Sequence, residues 1–507
     1  VGTPKKSLLF ILLYTINSEV ISGCFIYGKH KYMKPIKLLF LALLFPFFSF
    51  AQNVPDDTGV PATNVKPDII RGPYLQIATP ASMTIRWRTG TYDRSRVRYG
   101  LTGSNLNLQA DDSTLVSEHI VKLSGLKPNA KYYYSVGNLR NRALKGDEDT
   151  YFYTLPKSGS EQLIRVAGFG DCGNNSINQR MVKDQILKYL GNNYLNAWIL
   201  IGDNAYSDGT DAEFQAKFFN VYKDDLLKKY PLYPVPGNHD YNDFKSSSPS
   251  DHTRVAYFQN FSVPTKGEAG GVASNTPSYY SYDIGNTHFL ALDSYGRDVK
   301  GMKMADLMGE QVEWVKKDLA ANQDKKWIVA YWHHPPYTMG SHSSDTVGEL
   351  IKIRQNFIKI LEDSGVDLVL CGHSHDYERS KLIKGYFGKE ADYSAKYEVS
   401  SSTGLYDGSK NSAPYIKSKT NNQGIVYVVS GSAGQLGGHQ ETFPHNAMYY
   451  SNSDIGGAVM LEIQGNRLDL KWICSDGKIR DQFTMMKDVK KEDEKVLLQD
   501  KKLATVK

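Results

Sequence analysis

"NAWILIGDNAYSDG", residues 196–209, runs from an unbroken apolar stretch straight into Gly-Asp and sets a tyrosine three places beyond the aspartate. Ala197–Ile201 shows no polar alternation, the pattern of a strand covered on both faces. Gly202 permits a sharp turn at the strand end, where Asp203 is then presented. Gly-Asp alone is ordinary turn composition. Tyr206 is less ordinary, because an aromatic kept for the core would sit inside the apolar run.

Four other stretches repeat the arrangement of apolar run, turn and metal-capable side chain: "GDCG" (170–173), "GNHD" (237–240), "VAYWHHP" (329–335) and "GHSH" (372–375). Between them, "QRMVKDQILKYL", "GEQVEWVKKDLAAN" and "GELIKIRQNFIKILEDSG" space their apolar residues three and four apart, as helices do. Strands alternating with helices indicate an α/β layer structure, in which loops at the carboxyl ends of the strands meet in one crevice. The segment from Lys381 to Gln423, rich in Ser, Lys, Tyr and Asn, reads as a long loop. "GIVYVVSGSAG" restores a strand, and two further turns, at Gly465-Asn466 and Asp476-Gly477, join the last ones.

Asp171, Asp203, Asn238, His333, His373 and His375 offer carboxylate, amide oxygen and imidazole, with Tyr206 as a phenol. That is too many donors for one cation and suits two sharing a carboxylate. The mixture favours iron, zinc or manganese over calcium, which prefers oxygen shells. His373 and His375, two apart, would point to one side of an extended segment. Two adjacent metals suit in-line displacement at phosphorus.

Upstream, Ile69 to about Leu155 reads as short alternating runs, including "SMTIRWRTG", "SRVRYG" and "KYYYSVGN", an all-β sandwich. "MKPIKLLFLALLFPFFSFAQ" has a basic start, an apolar run and a small-x-small end before Gln52. It reads as a signal peptide (33–51) rather than a membrane anchor, since the run is short and carries Pro46. Residues 1–32 precede that signal and are expected to be an upstream start or no part of the natural product. Export, to a periplasm or the medium, is the expectation. Six lysines and one glutamate in residues 1–51 account for +5 of the formal +6, leaving +1 and no basic footprint for nucleic acid. Cys172, Cys371 and Cys474 remain after cleavage, an odd number that excludes a framework of several disulfides.

The ordered set "GDCG … GDNAY … GNHD … VAYWHHP … GHSH" resembles the dinuclear metallophosphoesterases, and specifically the purple acid phosphatases. "GHSHDYERS" and the opening "RGPYLQ" resemble the plant-type members, and "LKPNAKYYYSVGN" resembles late strands of a fibronectin type III module. The resemblance implies an α/β metallophosphoesterase sandwich, two mixed β-sheets flanked by helices, preceded by an all-β fibronectin III-like domain. The partition is then leader (1–51), linker (52–68), N-terminal domain (69–157), catalytic domain (162–485) and charged tail (486–507). It further implies Fe(III) on Asp171, Tyr206 and His375, a divalent Fe, Zn or Mn on Asn238, His333 and His373, and Asp203 bridging. The family's histidine ligand lies two residues before a proline, here His333 before Pro335, which leaves His334 as a packing or supporting residue. His239 and His342 take the outer positions of general acid and phosphate contact, and Asp240 is a candidate to orient His239. The implied activity is hydrolysis of small phosphomonoesters by a metal-bound hydroxide, with no nucleic-acid partner and no membrane anchor. A phosphodiesterase or nucleotidase on the same centre, with Lys381–Gln423 shaping the pocket, and a non-enzymatic surface-binding protein are the alternatives.

Overall fold

The computed structural model describes residues 65–489 except 145, 242–254, 410–411 and 418–422. The leader with its signal segment and most of the linker and the charged tail lie outside the described residues. The chain opens with β1 (Ile69–Gln76), β2 (Ser82–Gly100), β3 (Leu108–Ser124), β4 (Lys131–Gly137) and β5 (Tyr151–Tyr153), ordered β1–β2–β4–β5 with β3 also on β2. "SMTIRWRTG" and "SRVRYG", expected as separate runs, are one strand of 19 residues. Register shifts between Arg88 and Ser95 divide it, so that its first half pairs with β1 and its second with β4, while β3 follows both. Such irregularities bend a strand without ending it.

Met83, Ile85 and Trp87 face a core with Val97, Val121, Leu123, Tyr134 and Phe152. Alternation would turn Thr84 and Arg86 to water, yet both are buried. The part of the chain that follows covers that face: Arg86 donates to the Gln259 carbonyl at 2.6 Å, and the Tyr74 hydroxyl to the Asn260 carbonyl at 2.7 Å.

Two mixed seven-stranded sheets follow. Their strands are β6 (Ile164–Phe169), β7 (Ala197–Ile201), β8 (Leu232–Val235), β9 (Tyr280–Ile284), β10 (Thr287–Ala291), β11 (Trp327–Tyr331) and β12 (Leu368–Cys371). Then come β13 (Tyr377–Ser380), β14 (Tyr415–Lys417), β15 (Val426–Ser430), β16 (Met448–Asn452), β17 (Gly457–Gln464), β18 (Arg467–Cys474) and β19 (Ile479–Lys487). One sheet is ordered β14–β19–β18–β17–β6–β7–β8, the other β16–β13–β15–β12–β11–β10–β9. The segment from Lys381 to Gln423 is irregular for most of its described length but contributes β14, which pairs with β19.

Strand alternation divides the core into layers. Ala197, Ile199 and Ile201 meet Val329, Tyr331, Leu368 and Leu370 between the sheets. Trp198 and Leu200 point the other way, onto Val182 and Ile186 of the helix Ile177–Leu190 and onto Phe214 and Phe218. Ile328, Ala330 and Val369 likewise meet Val312 and Val315 of the helix Glu310–Ala321. Each central strand is therefore covered on both faces, which is why "AWILI" carries no polar position. Among the described residues no helix is long and apolar enough to cross a membrane.

One buried charge in this scaffold has a consequence for stability. His288 on β10 lies between Asp283 (2.8 Å from Nδ1) and Asp318 (2.7 Å from Nε2). Burial works against its charged form, but the two carboxylates prevail and raise its pKa. A histidine whose pKa is higher folded than unfolded stabilises fully below its unfolded value, near 6.5, and loses that contribution as pH rises through the folded value. Denaturant midpoints at pH 6 and pH 9 should therefore differ in wild type by more than in His288→Asn, and at pH 6 the variant should lose about 3–5 kcal/mol. An equal pH difference in both proteins would show His288 to be neutral.

Candidate metal centre

All five stretches stand at carboxyl ends of strands that run parallel within their sheets. Asp171 follows β6, Asp203 β7, Asn238 β8, His333 β11 and His373 β12, so each sheet supplies part of one crevice. Asp171, Asp203 and His373 hold φ of 56°, 52° and 68°, the left-handed region that L residues seldom occupy. Backbone strain of this kind persists where the surroundings over-determine it, and here it turns three ligand-type side chains inward. Close approach needs glycine beside them. A Cβ on Gly237 would lie 2.1 Å from Asp203 Oδ1, and one on Gly202 2.4 Å from His333 Nδ1.

The side chains converge in two overlapping groups. The Tyr206 hydroxyl donates to Asp171 Oδ1 at 2.9 Å and lies 3.3 Å from His375 Nε2, which is 3.5 Å from the same carboxylate oxygen. On the other side, His333 Nε2 lies 3.3 Å from Asp203 Oδ2 and 3.3 Å from His373 Nδ1. His333 Nδ1 donates to the Ile201 carbonyl at 3.0 Å, which fixes the ring and turns Nε2 toward the cluster. Asp203 also accepts the His239 amide at 3.0 Å, and Asp171 the His373 amide at 2.9 Å.

These residues fit a metal. Asp171, Asp203 and His375 present ligand atoms all within 4.8 Å of one another. Asn238 Oδ1 is buried with no hydrogen-bond partner among the described residues, a costly state for an amide oxygen that a cation would relieve. The electrostatics agree. Burial, then the charges of Asp171 and Asp203, push the Tyr206 phenol well above its ordinary value, so the phenolate needs a stronger positive neighbour. Burial disfavours a charged His333, but Asp203 and Asp171 raise it to about 9. Burial would raise Asp203, yet His333 takes it well below the usual carboxylate range.

His239 and His342 stand at the edge of the cluster. His239 Nδ1 donates to the Ser207 carbonyl at 2.5 Å, its Nε2 lies 3.9 Å from Asp203 Oδ2, and its ring rests 4.7 Å from that of Tyr206. His342 stacks on His373 at 4.0 Å and 15°. His334 is buried behind His373, its ring 4.3 Å away and its Nδ1 2.8 Å from Ser294 Oγ. Cys172, Cys371 and Cys474 are buried free thiols.

Two expectations are corrected. The "GHSH" segment is not extended: Ser374 and Asp376 amides close tight turns onto Gly372 and Ser374 carbonyls, and His373 reaches the cluster through its left-handed φ of 68°. Asp240 does not orient the His239 ring. Its carboxylate accepts amides of Asn204 (2.9 Å), Ala205 (3.2 Å) and Gly237 (2.9 Å), tying the loop after β8 to the loop after β7. Sequence reasoning also missed Glu213, which accepts the amides of Ser207 (2.7 Å), Asp208 (3.0 Å) and Thr210 (3.2 Å) and so braces the Tyr206 loop. The Thr-x-x-Glu spacing at 210–213 is a capping-box signal that would have shown it.

Comparison with known proteins bears on both halves of the chain. The family described as Calcineurin-like phosphoesterase matches residues 164–377, and that described as Purple acid Phosphatase, N-terminal domain, matches residues 70–154. Purple acid phosphatase 15 of Arabidopsis thaliana is 29% identical over 295 residues, 53% of this chain, and the match spans 50% of that protein. Acid phosphatase type 7 of Mus musculus is 27% identical over 429 residues, covering 78% of this chain and 83% of its own length. The purple acid phosphatase PPD1 from yellow lupin seeds shares the fold, with a TM-score of 0.62 at 19% identity over 83% of this chain and 74% of its own. With the five loops gathered as described, residues 164–377 carry the likeness to the calcineurin-like phosphoesterases and residues 70–154 the likeness to the N-terminal domain of the purple acid phosphatases.

Proposed function

We propose that the protein is a dinuclear metal-dependent acid phosphatase acting on small phosphomonoesters. The observation that carries this reading is the position of Asp203, in contact with the His333 side of the cluster and within 4.8 Å of the Asp171 and His375 ligand atoms. Asp171, Tyr206 and His375 hold ferric iron in this reading, Asn238, His333 and His373 hold a divalent ion, and Asp203 serves both. Ions there would polarise the phosphoryl oxygen and supply a nucleophile at low pH. His239, fixed through Nδ1 by the Ser207 carbonyl, keeps Nε2 for proton donation to the leaving oxygen. His342, stacked on His373, contacts the phosphate in this reading.

The test combines a phosphoester panel with visible absorption. Iron-loaded, oxidised protein should be coloured, cleave monoesters faster than bis-esters, and show an acidic optimum. Tyr206→Phe should lose the colour while iron stays bound. Colourless iron-loaded wild type would remove the ferric–tyrosinate assignment, and bis-ester preference would move the reading to a diesterase.

The partition at 69–157 and 162–485, and the fibronectin III likeness of the first part, belong to the same proposal. So does export through residues 33–51: sequencing the mature protein should start near Gln52, and retention of Leu38–Phe48 would indicate an anchor.

A further inference from the structure

The face of β1 and β2 turned toward the catalytic part carries Arg71 and Arg86, both buried, and the half-buried Arg88, an expensive set to take from water. Two of the three meet on one residue. Arg88 grips Asp211 with both terminal nitrogens, at 2.5 and 3.1 Å, and its Nε engages Glu118. Arg71 adds Nη1 at 2.9 Å from Asp211 and Nε at 2.7 Å from Gln215, and its guanidinium lies 4.3 Å over the Phe219 ring. Burial would raise Asp211, yet the two arginines bring it down to about 2, so it is charged at any working pH.

Asp211 opens the helical segment that follows the Tyr206 loop. Thr210 caps that segment, Glu213 accepts the loop amides described above, and Lys217 donates to the Tyr206 carbonyl and to Glu213. The same loop supplies the Ser207 carbonyl that sets the His239 ring. It is pressed against its neighbour, since a Cβ on Gly209 would stand 2.5 Å from the His239 carbonyl oxygen. Ion pairs on Asp211, the backbone of the capped turn 210–213 and the hydrogen bonds of Glu213, Lys217 and Ser207 thus connect the N-terminal strands to both Tyr206 and His239.

We infer that Arg71 and Arg88 are positioning residues for the metal centre: by holding Asp211 they fix the loop that aims Tyr206 and His239. The N-terminal domain is then part of the catalytic apparatus. The inference rests on the phosphatase reading only for its kinetic consequence; the ordering of the loop stands on its own.

The test uses the full chain as wild type, Arg88→Met, Arg88→Lys and Asp211→Asn. Asp149→Asn is the control, since it breaks another pair on the same interface, Lys229–Asp149 at 2.9 Å. Amide exchange at 207–210 should rise about tenfold in Arg88→Met and Asp211→Asn, with β7 amides unchanged. Turnover of an alkyl phosphate should fall about tenfold, and that of a nitrophenyl phosphate less, because a poorly aimed His239 matters most for a poor leaving group. Arg88→Lys, which keeps the charge without the two-pronged geometry, should recover part of both. Loop exchange unchanged, or changed equally in Asp149→Asn, would overturn the inference and leave a simple interdomain contact. Should Arg88→Met fail to fold, Asp211→Asn decides the question. Should wild type hydrolyse no phosphomonoester, the phosphatase reading fails and exchange alone decides the clamp.

Discussion

Asp203→Asn should lose at least one of two bound metals and reduce turnover by about 10³-fold or more, equivalent to ~4 kcal/mol of transition-state stabilisation. The substitution isolates charge. Asparagine tolerates the left-handed φ of 52° about as well as aspartate, so the loop after β7 keeps its course. Its side-chain oxygen can still accept the His239 amide, now at 3.0 Å. What disappears is the nearer of the two carboxylate charges beside His333, 3.3 Å from its Nε2. The other carboxylate near that ring, Asp171, stands farther off, 4.0 Å from His333 Nε2. Elemental analysis and steady-state kinetics on the purified variant check the prediction. Two metals retained with turnover within about tenfold of wild type would mean that Asp203 is not shared.

The centre was legible in the sequence because its residues break a local rule: charged and imidazole side chains directly follow apolar runs that demand burial. The uninterrupted "AWILI" likewise announced its double coverage, and the second sheet on one face and the helix Ile177–Leu190 with Phe214 and Phe218 on the other bear it out. Contacts between distant segments were hidden. Arg88 and Asp211 are 123 residues apart, and nothing in the alternation of "SMTIRWRTG" marks one face as covered by another domain. Backbone conformation was hidden too. "GHSH" fits an extended reading by spacing alone, and only the turn contacts at Gly372 and Ser374 show the left-handed bend. Asp240 was misassigned for a related reason. It adjoins His239 in sequence, but the short helical turn His239–Tyr241 points its carboxylate away, toward the amides of Asn204 and Ala205.

That separation makes His239 removable without disturbing the ligands. His239→Ala should keep both metals and lose about 10²–10⁴ in turnover, the range for a general acid. The backbone amide of residue 239 still reaches Asp203, and Asp240 still ties Gly237 to Asn204, so the loop carrying Asn238 stays in place. Only the imidazole goes, with its bond to the Ser207 carbonyl and its contact with the Tyr206 ring. If His239 delivers a proton to the leaving oxygen, the loss depends on how much that oxygen needs one. An alkyl phosphate, whose alkoxide is a poor leaving group, should show the upper end of the range, and a nitrophenyl phosphate the lower end or less. A residue that only binds phosphate would slow both substrates equally, and a structural one would empty the site. Metal content together with turnover on the two substrates therefore separates the three roles: unequal loss with both metals retained supports proton donation, while equal loss or an emptied centre would remove His239 from the chemistry.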